Sequence, residues 1–242
     1  MGPAVTHYGG EKDMQILIGI AAVAIGYILG SIPFGLIIVK LKTGKDIRTV
    51  ESGRTGGTNA VRAAGFGAGL LTAILDILKG AVAVWVARAL SPGNELVHVL
   101  APVAAILGHN YSAFLVERDQ NGKLRFHGGA GGAPALGGAM GLWWPMFPIV
   151  FSAAVLVWFS IGIASVTTIV VGLVVIIVFA VRAASGLQDP IYIWYGVMAE
   201  LLLLWALRPN IQKLLAGKER VIKYSLNGWL RARKEVKAES NK

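Results

Sequence analysis

Apolar residues fall in long runs separated by short polar segments. Residues 14–39, 67–90, 96–116, 162–182 and 190–207 each hold close to the roughly 20 apolar residues with which a helix crosses a bilayer's hydrocarbon. Residues 133–160 are equally apolar but contain Pro134, Pro145 and Pro148. An interior proline removes a helical hydrogen bond and crowds the preceding turn. This stretch therefore reads as two short helices that break near Trp144-Pro145.

The polar segments differ in charge, and the difference orients the chain. Residues 40–66 carry six Lys/Arg against two acids, and residues 208–242 carry ten against three. The N-terminal arm, with Glu11, Lys12 and Asp13, has no such excess. Basic loops stay on the cytoplasmic side, so loop 40–66 and the tail are predicted inside and the arm outside. An outside start and an inside end require an odd number of crossings, which the two short helices supply. The prediction is an all-α polytopic membrane helix bundle of about seven transmembrane helices, N-terminus outside and C-terminus cytoplasmic. Residues 1–13 would be an extracytoplasmic arm, 14–207 the bundle, and 208–242 a basic, partly amphipathic cytoplasmic tail. Loop 40–66, loop 117–132, the join at 160–162 and the tail would then share one face.

Charged residues make up 15% of the 242-residue chain, below the roughly 25% of a soluble domain. The net charge of +10, placed beside apolar spans, points to anionic lipid and not to nucleic acid. With no cysteine in the chain, disulfides, thiolate metal sites and cysteine nucleophiles are excluded. His109 has no second histidine or carboxylate at ligand spacing, so no metal and no cofactor is assigned.

Six segments carry candidate chemistry. Gly30-Ser31-Ile32-Pro33-Phe34-Gly35 lies late in the first span, where small residues also serve close helix packing. Loop 46–62 sets Asp46, Arg48, Ser52, Thr58, Asn59 and Arg62 among Gly53, Gly56 and Gly57. Glycines expose successive backbone N–H groups, and such a nest binds phosphate oxygens. An arginine fork adds bidentate recognition. The loop lacks the Gly-Lys-Ser/Thr of a nucleotide-binding P-loop. Asp76 and Lys79 share a face of the second span, either as a structural ion pair or as substrate contacts. Leu107-Gly108-His109-Asn110 closes the third span, and the glycine-rich run 127–133 opens the next helix as a second nest. Beyond Arg208, Ile222, Leu226, Trp229 and Leu230 alternate with Lys/Arg in the manner of a helix lying on an anionic leaflet.

Taken in order, these segments resemble the bacterial acyl-phosphate:glycerol-3-phosphate acyltransferase family. The match runs through Gly30, Ser31, Gly35, Asp46, Arg48, Ser52, Gly53, Gly56, Thr58, Asn59 and Arg62. It continues through Asp76, Lys79, Gly80, Gly108 and His109, and ends at Asn210, Ile211, Leu214, Leu215, Gly217 and Glu219. The resemblance implies a multi-pass enzyme of the bacterial inner membrane. Such an enzyme moves a fatty acyl group from acyl phosphate to the 1-hydroxyl of glycerol 3-phosphate, giving lysophosphatidate. It implies membrane lipids as surroundings and the enzyme that supplies acyl phosphate as a partner.

By the same resemblance, Ser52, Arg62 and His109 would be catalytic. Ser31, Asp46, Arg48, Gly53, Thr58, Asn59, Lys79, Gly128, Gly129, Gly131, Ser165, Asn210 and Glu219 would bind substrate. The chain departs from the family pattern at Arg54, where the family has Asn. It departs again at His127 to Pro134, where two lysines and a threonine are missing, and at Leu207, which replaces a histidine. Residues 117–125 form an insertion. Arg54, His127, Lys123 and Arg125 are the cations placed to substitute. The alternative reading is a non-catalytic paralogue that holds anionic headgroups; a transporter, for which internal repeats are the usual mark, ranks below both.

Overall fold

The computed structural model describes residues 8–223 and 225–240. Its helices are α1 (Tyr8–Ser31), α2 (Phe34–Thr43), α3 (Gly57–Ala64), α4 (Phe66–Leu90), α5 (Glu95–Asn110), α6 (Gly132–Leu142), α7 (Met146–Ser160), α8 (Ala164–Ala184), α9 (Ile191–Leu215) and α10 (Leu226–Ser240). Five helical stretches are long and apolar enough to cross a membrane: Gly10–Thr43, Phe66–Leu90, Glu95–Leu115, Ala164–Ala184 and Ile191–Leu215. Their outer faces carry bare apolar side chains, among them Leu17, Trp85, Ile177 and Leu201. In water such continuous exposure would be a liability, whereas in lipid it is the solvated surface.

The proline-bearing stretch breaks where its sequence predicts. α6 ends at Leu142 and α7 starts at Met146. Pro134 and Pro148 each sit in a first helical turn, where an N–H has no intrahelical partner to lose.

Glycine lets the helices approach closely. α1 packs on α5 and α4 on α6. A Cβ at Gly30 would fall on the carbonyl oxygen of Ala105, and one at Gly137 on that of Ile77. Backbones in contact replace side-chain interdigitation, as lipid-embedded helices require. Around Ile106, Met146, Phe179, Tyr195 and Leu203 the bundle has a conventional apolar core.

Two features differ from the sequence-based expectation. The insertion folds as a β-hairpin, β1 (Val116–Arg118) against β2 (Leu124–Phe126), with Glu117 opposite Arg125. Its turn is set by Asp119 Oδ1, which accepts the N–H groups of Asn121 and Lys123 at 2.9 Å, and by Gly122 at φ 75°. The architecture is thus helical with one small hairpin. In addition, α9 continues eight residues past the expected boundary at 207, through Pro209. The proline leaves the Trp205 carbonyl without its helical donor, and Arg208 Nε donates to it at 2.9 Å while its guanidinium lies on the Trp205 ring.

Side-chain contacts define two ends of the bundle. At one end, Arg88 donates to the carbonyls of Gly141 and Leu142 at 3.0 and 2.8 Å, and Glu95 links Tyr192 to His98. At the other end, Thr55 N donates to Gly128 O at 3.2 Å, Ile222 N donates to Gly162 O at 2.8 Å, and Arg220 pairs with Glu51 at 2.8 Å. The loop after α2, the glycine-rich run, the α7–α8 join and the tail therefore meet at a single basic end.

Candidate active site

The loop after α2 is shaped by its own polar side chains. Asp46 caps a 3₁₀ turn by accepting from Arg48 N at 2.8 Å, and its carboxylate grips the Arg48 guanidinium. This hydrogen bond holds the Asp46 carboxyl below the usual aspartate range. Arg48 also pairs with Glu117, which ties the loop to the hairpin. Asn59 is buried, and its Nδ2 lies 3.1, 2.9 and 2.9 Å from the carbonyls of Ile47, Val50 and Arg54. Gly53, at φ 67°, makes the turn that presents Ser52 and Arg54.

Arg54 reaches across the end of the bundle. Its Nη1 donates to Gly129 O at 3.4 Å and its Nη2 to Asn210 Oδ1 at 3.0 Å and to the carbonyl of Ala206. Asn210 in turn donates to Glu219 at 2.9 Å. Burial pushes the Arg54 guanidinium down from its ordinary value, yet arginine stays charged in proteins. The result is a cation held partly out of water by neutral carbonyls, with little negative charge to offset it.

Opposite Arg54 runs the glycine segment. Gly129 N donates to His109 O at 2.8 Å. Gly129 must lack a side chain, because a Cβ would strike His109 Nε2. Gly131, at φ 90°, turns the chain into α6. The N–H groups of Gly128, Ala130, Gly131 and Gly132 donate to no acceptor among the described residues. They form an electropositive strip at a helix start.

Beneath this strip lies a buried triad. Lys79 Nζ stands 2.8 Å from Asp76 Oδ1, 2.8 Å from His109 Nδ1 and 3.0 Å from Ile32 O. The contacts to Ile32 O and His109 Nδ1 are hydrogen bonds, and the contact to Asp76 is an ion pair. Lys79 thereby joins α4 and α5 to the α1–α2 break. The same geometry fixes His109. Its Nδ1 meets Lys79 Nζ and lies 3.5 Å from Asp76 Oδ1, and its Nε2 faces Gly129.

A cavity of about 240 Å³ lies between these groups. Ser52, Gly53 and Arg54 form one wall, and Gly128, Gly129, Asn110 and Tyr111 another. A second cavity of about 480 Å³ on the hairpin balances Glu117 and Asp119 against Arg118 and Arg125, which gives an anion no preference there. The first cavity is the candidate site.

Several residues expected in the site are placed elsewhere. Ser31 is buried as a joint: its Oγ donates to Tyr27 O at 2.9 Å, and its carbonyl accepts from Ser112 Oγ at 2.6 Å. Asp46, Arg48 and Asn59 brace the loop. Thr58 and Arg62 are exposed on α3 and do not line the cavity. Ser165 is buried at the start of α8 with its Oγ unpartnered. One helical turn on, Thr168 packs against Gly132. Of the four substitute cations, Arg54 and His127 line the cavity, while Lys123 and Arg125 stand out on the hairpin. Asn110 and Tyr111, which line it too, were not assigned from sequence. The Gly108-His109-Asn110 run was the signal for Asn110.

These features define an integral-membrane helix bundle with a polar cavity, lined by Arg54 and the glycine segment, at one basic end. Comparison with known proteins specifies it further. The family profile described as "Glycerol-3-phosphate acyltransferase" matches residues 20–217. A glycerol-3-phosphate acyltransferase of Rhodopseudomonas palustris (strain HaA2) is 35% identical over 86% of this chain and 98% of its own length. One from Rubrobacter xylanophilus is 35% identical over 84% and 95%. The crystal structure of PlsY (YgiH), an integral membrane glycerol 3-phosphate acyltransferase, in its glycerol 3-phosphate form superimposes with a TM-score of 0.72. It is 31% identical, covering 84% of this chain and 95% of that one. The chain belongs to the glycerol-3-phosphate acyltransferase family and is a multi-pass membrane acyltransferase.

Proposed function

We propose that the chain transfers a fatty acyl group from acyl phosphate to the 1-hydroxyl of glycerol 3-phosphate at the cavity beside Arg54. The observation that carries this placement is the Arg54 guanidinium facing the unpaired N–H groups of the glycine segment. Both substrates bear a phosphate, and this end offers a fixed cation on one wall and backbone donors on the other. The solved relatives were crystallised in glycerol 3-phosphate and lysophosphatidic acid forms, which supports acceptor and product of these classes.

Acyl phosphate is already activated, so no covalent enzyme intermediate is needed. The acceptor hydroxyl oxygen attacks the acyl carbonyl carbon, and the carbon–oxygen bond to phosphate breaks. Phosphate leaves with the bonding electrons and takes the hydroxyl proton. The chain's task is to hold the two reactants in register and to stabilise charge on the carbonyl oxygen and the departing phosphate. Arg54 serves the phosphate, the Gly128 N–H and the α6 start serve developing negative charge, and Ser52 and Asn110 orient the acceptor. His109 supports the floor through the Lys79 triad. In this reading the helical passes number seven, the basic end faces the cytoplasm, and the membrane is the bacterial inner one, where a soluble or peripheral enzyme supplies acyl phosphate.

The test is lysophosphatidate formation from acyl phosphate and glycerol 3-phosphate by purified protein. Arg54→Ala should lower kcat/KM by about 100-fold or more, the scale of losing a charge-stabilising donor. Arg62→Ala, altering a side chain outside the cavity, should cost less. If the order were reversed, the site would lie on the α3 side. Glycerol 3-phosphate binding with no turnover in the wild type would instead identify a headgroup-binding paralogue.

A further inference from the structure

Helix α10 lies beyond residue 217, where the family match ends, and it is rooted firmly in the bundle. Ser225 is buried, caps the helix by accepting from Gly228 N at 3.1 Å, and packs on Gly162, where a Cβ would collide with its Oγ. Asn227 Nδ2 donates to Ile161 O at 3.1 Å. The first turns of α10 are thereby fixed against the α7–α8 join at the basic end. From that root, Leu226, Trp229 and Leu230 project with 56%, 48% and 45% of their surfaces exposed. Their i, i+3, i+4 spacing makes one stripe. Lys223, Arg231 and Arg233 are exposed; Arg233 lies on the face of the stripe, over the Trp229 ring, and Arg231 flanks the helix with its Nε donating to Asn227 Oδ1 at 3.3 Å.

We propose that this stripe is a docking surface for an anionic lipid leaflet. Three observations select lipid as the occupant. The helix is anchored at the end of α7, whose last turns also expose large apolar side chains, Leu156 at 70% and Phe159 at 55%. A tryptophan next to cations is the composition of the bilayer interface, where the indole sits at headgroup level. The flanking charge is entirely positive on the described exposed side chains at positions 223, 231 and 233, which complements phospholipid phosphates.

The chain contains no cysteine, so Leu230→Cys in the full-length protein introduces a unique thiol for a polarity-sensitive fluorophore. The labelled protein is reconstituted into vesicles of zwitterionic lipid alone or of zwitterionic lipid doped with an anionic phospholipid. The expected result is a blue shift and shielding from an aqueous quencher only in the anionic vesicles, lost in high salt. Each of Arg231→Gln and Arg233→Gln should weaken the partition about fivefold. Equal shielding in both vesicle types, unchanged in the arginine variants, would overturn charge recognition of lipid. Shielding that rises with protein density at fixed lipid composition would assign the stripe to a second copy instead. Retained acyl transfer in the arginine variants shows that the core is intact.

Discussion

Lys79 illustrates how far a single residue can be read before its surroundings are known. A lysine three positions after an aspartate in an apolar span is either a paired charge or a reagent, and the spacing is the same for both. What separates them is the surroundings of Nζ, whose two hydrogen-bond acceptors, Ile32 O and His109 Nδ1, both come from outside α4. Removing the ammonium leaves Asp76 buried and uncompensated. Lys79→Ala should therefore lower unfolding stability by about 3–5 kcal/mol, read as a shift in the detergent-solubilised denaturation curve. Asn59 belongs to the same category: it looks like a substrate ligand in sequence and is a clamp in space. Asn59→Ala should cost about 1–3 kcal/mol from unsatisfied carbonyls, with the larger effect on stability and a secondary one on turnover through the loop. The Asp46–Arg48 brace predicts a pH response of definite sign. Its folded carboxyl titrates below the unfolded value of about 3.9, so its contribution is full above that pH and is lost only as pH falls through the lower, folded value. An acid titration of Asp46 by carboxyl-selective NMR should show the depressed midpoint, and Arg48→Ala should restore it to the ordinary range.

At the scale of elements, the apolar runs and the prolines between them were legible because each is a local property. The α6–α7 break falls within a residue of Trp144-Pro145 for that reason. The hairpin was less visible although Asn121-Gly122 is a strong turn signal: its strands have three residues each, too short for an alternating pattern to stand out. The expected boundary at 207 marked the end of the apolar run and the start of the basic tail, and α9 outlasts both. The chain continues because Arg208 itself occupies the carbonyl the proline abandons. Close helix contact depends on positions where nothing larger than hydrogen fits. Gly137→Ala drives a methyl into the Ile77 carbonyl and should cost about 1–3 kcal/mol, read as a lowered thermal midpoint. The same change at Gly67, where a Cβ meets nothing, should be near neutral.

For the whole molecule, the sequence placed the chemically unusual segments on one face before any of them was interpreted, and they do converge. The composition of the cavity could not be read in the same way. Arg54 stood out only as a departure from the family pattern, and that it reaches Ala206 and Asn210 follows from the packing of α9 beside the first loop. Single cysteines at Lys45, Asn121 and Lys218 should all react with an impermeant thiol reagent from one side of sealed vesicles, and one at Gly93 from the other. Labelling of Lys45 and Lys218 from different sides would be incompatible with a shared cavity.

The Arg88, Glu95, His98 and Tyr192 contacts tie the helices together at the far end of the bundle, while the cavity lies at the basic end. Reactants and product in that arrangement enter and leave by one door. With acyl transfer in the proposed cavity, a newly acylated glycerophosphate would pass sideways into the adjoining monolayer. Growth of a membrane fed by this protein is accordingly lopsided at birth, and the second monolayer must be filled by a separate passage of lipid across the sheet.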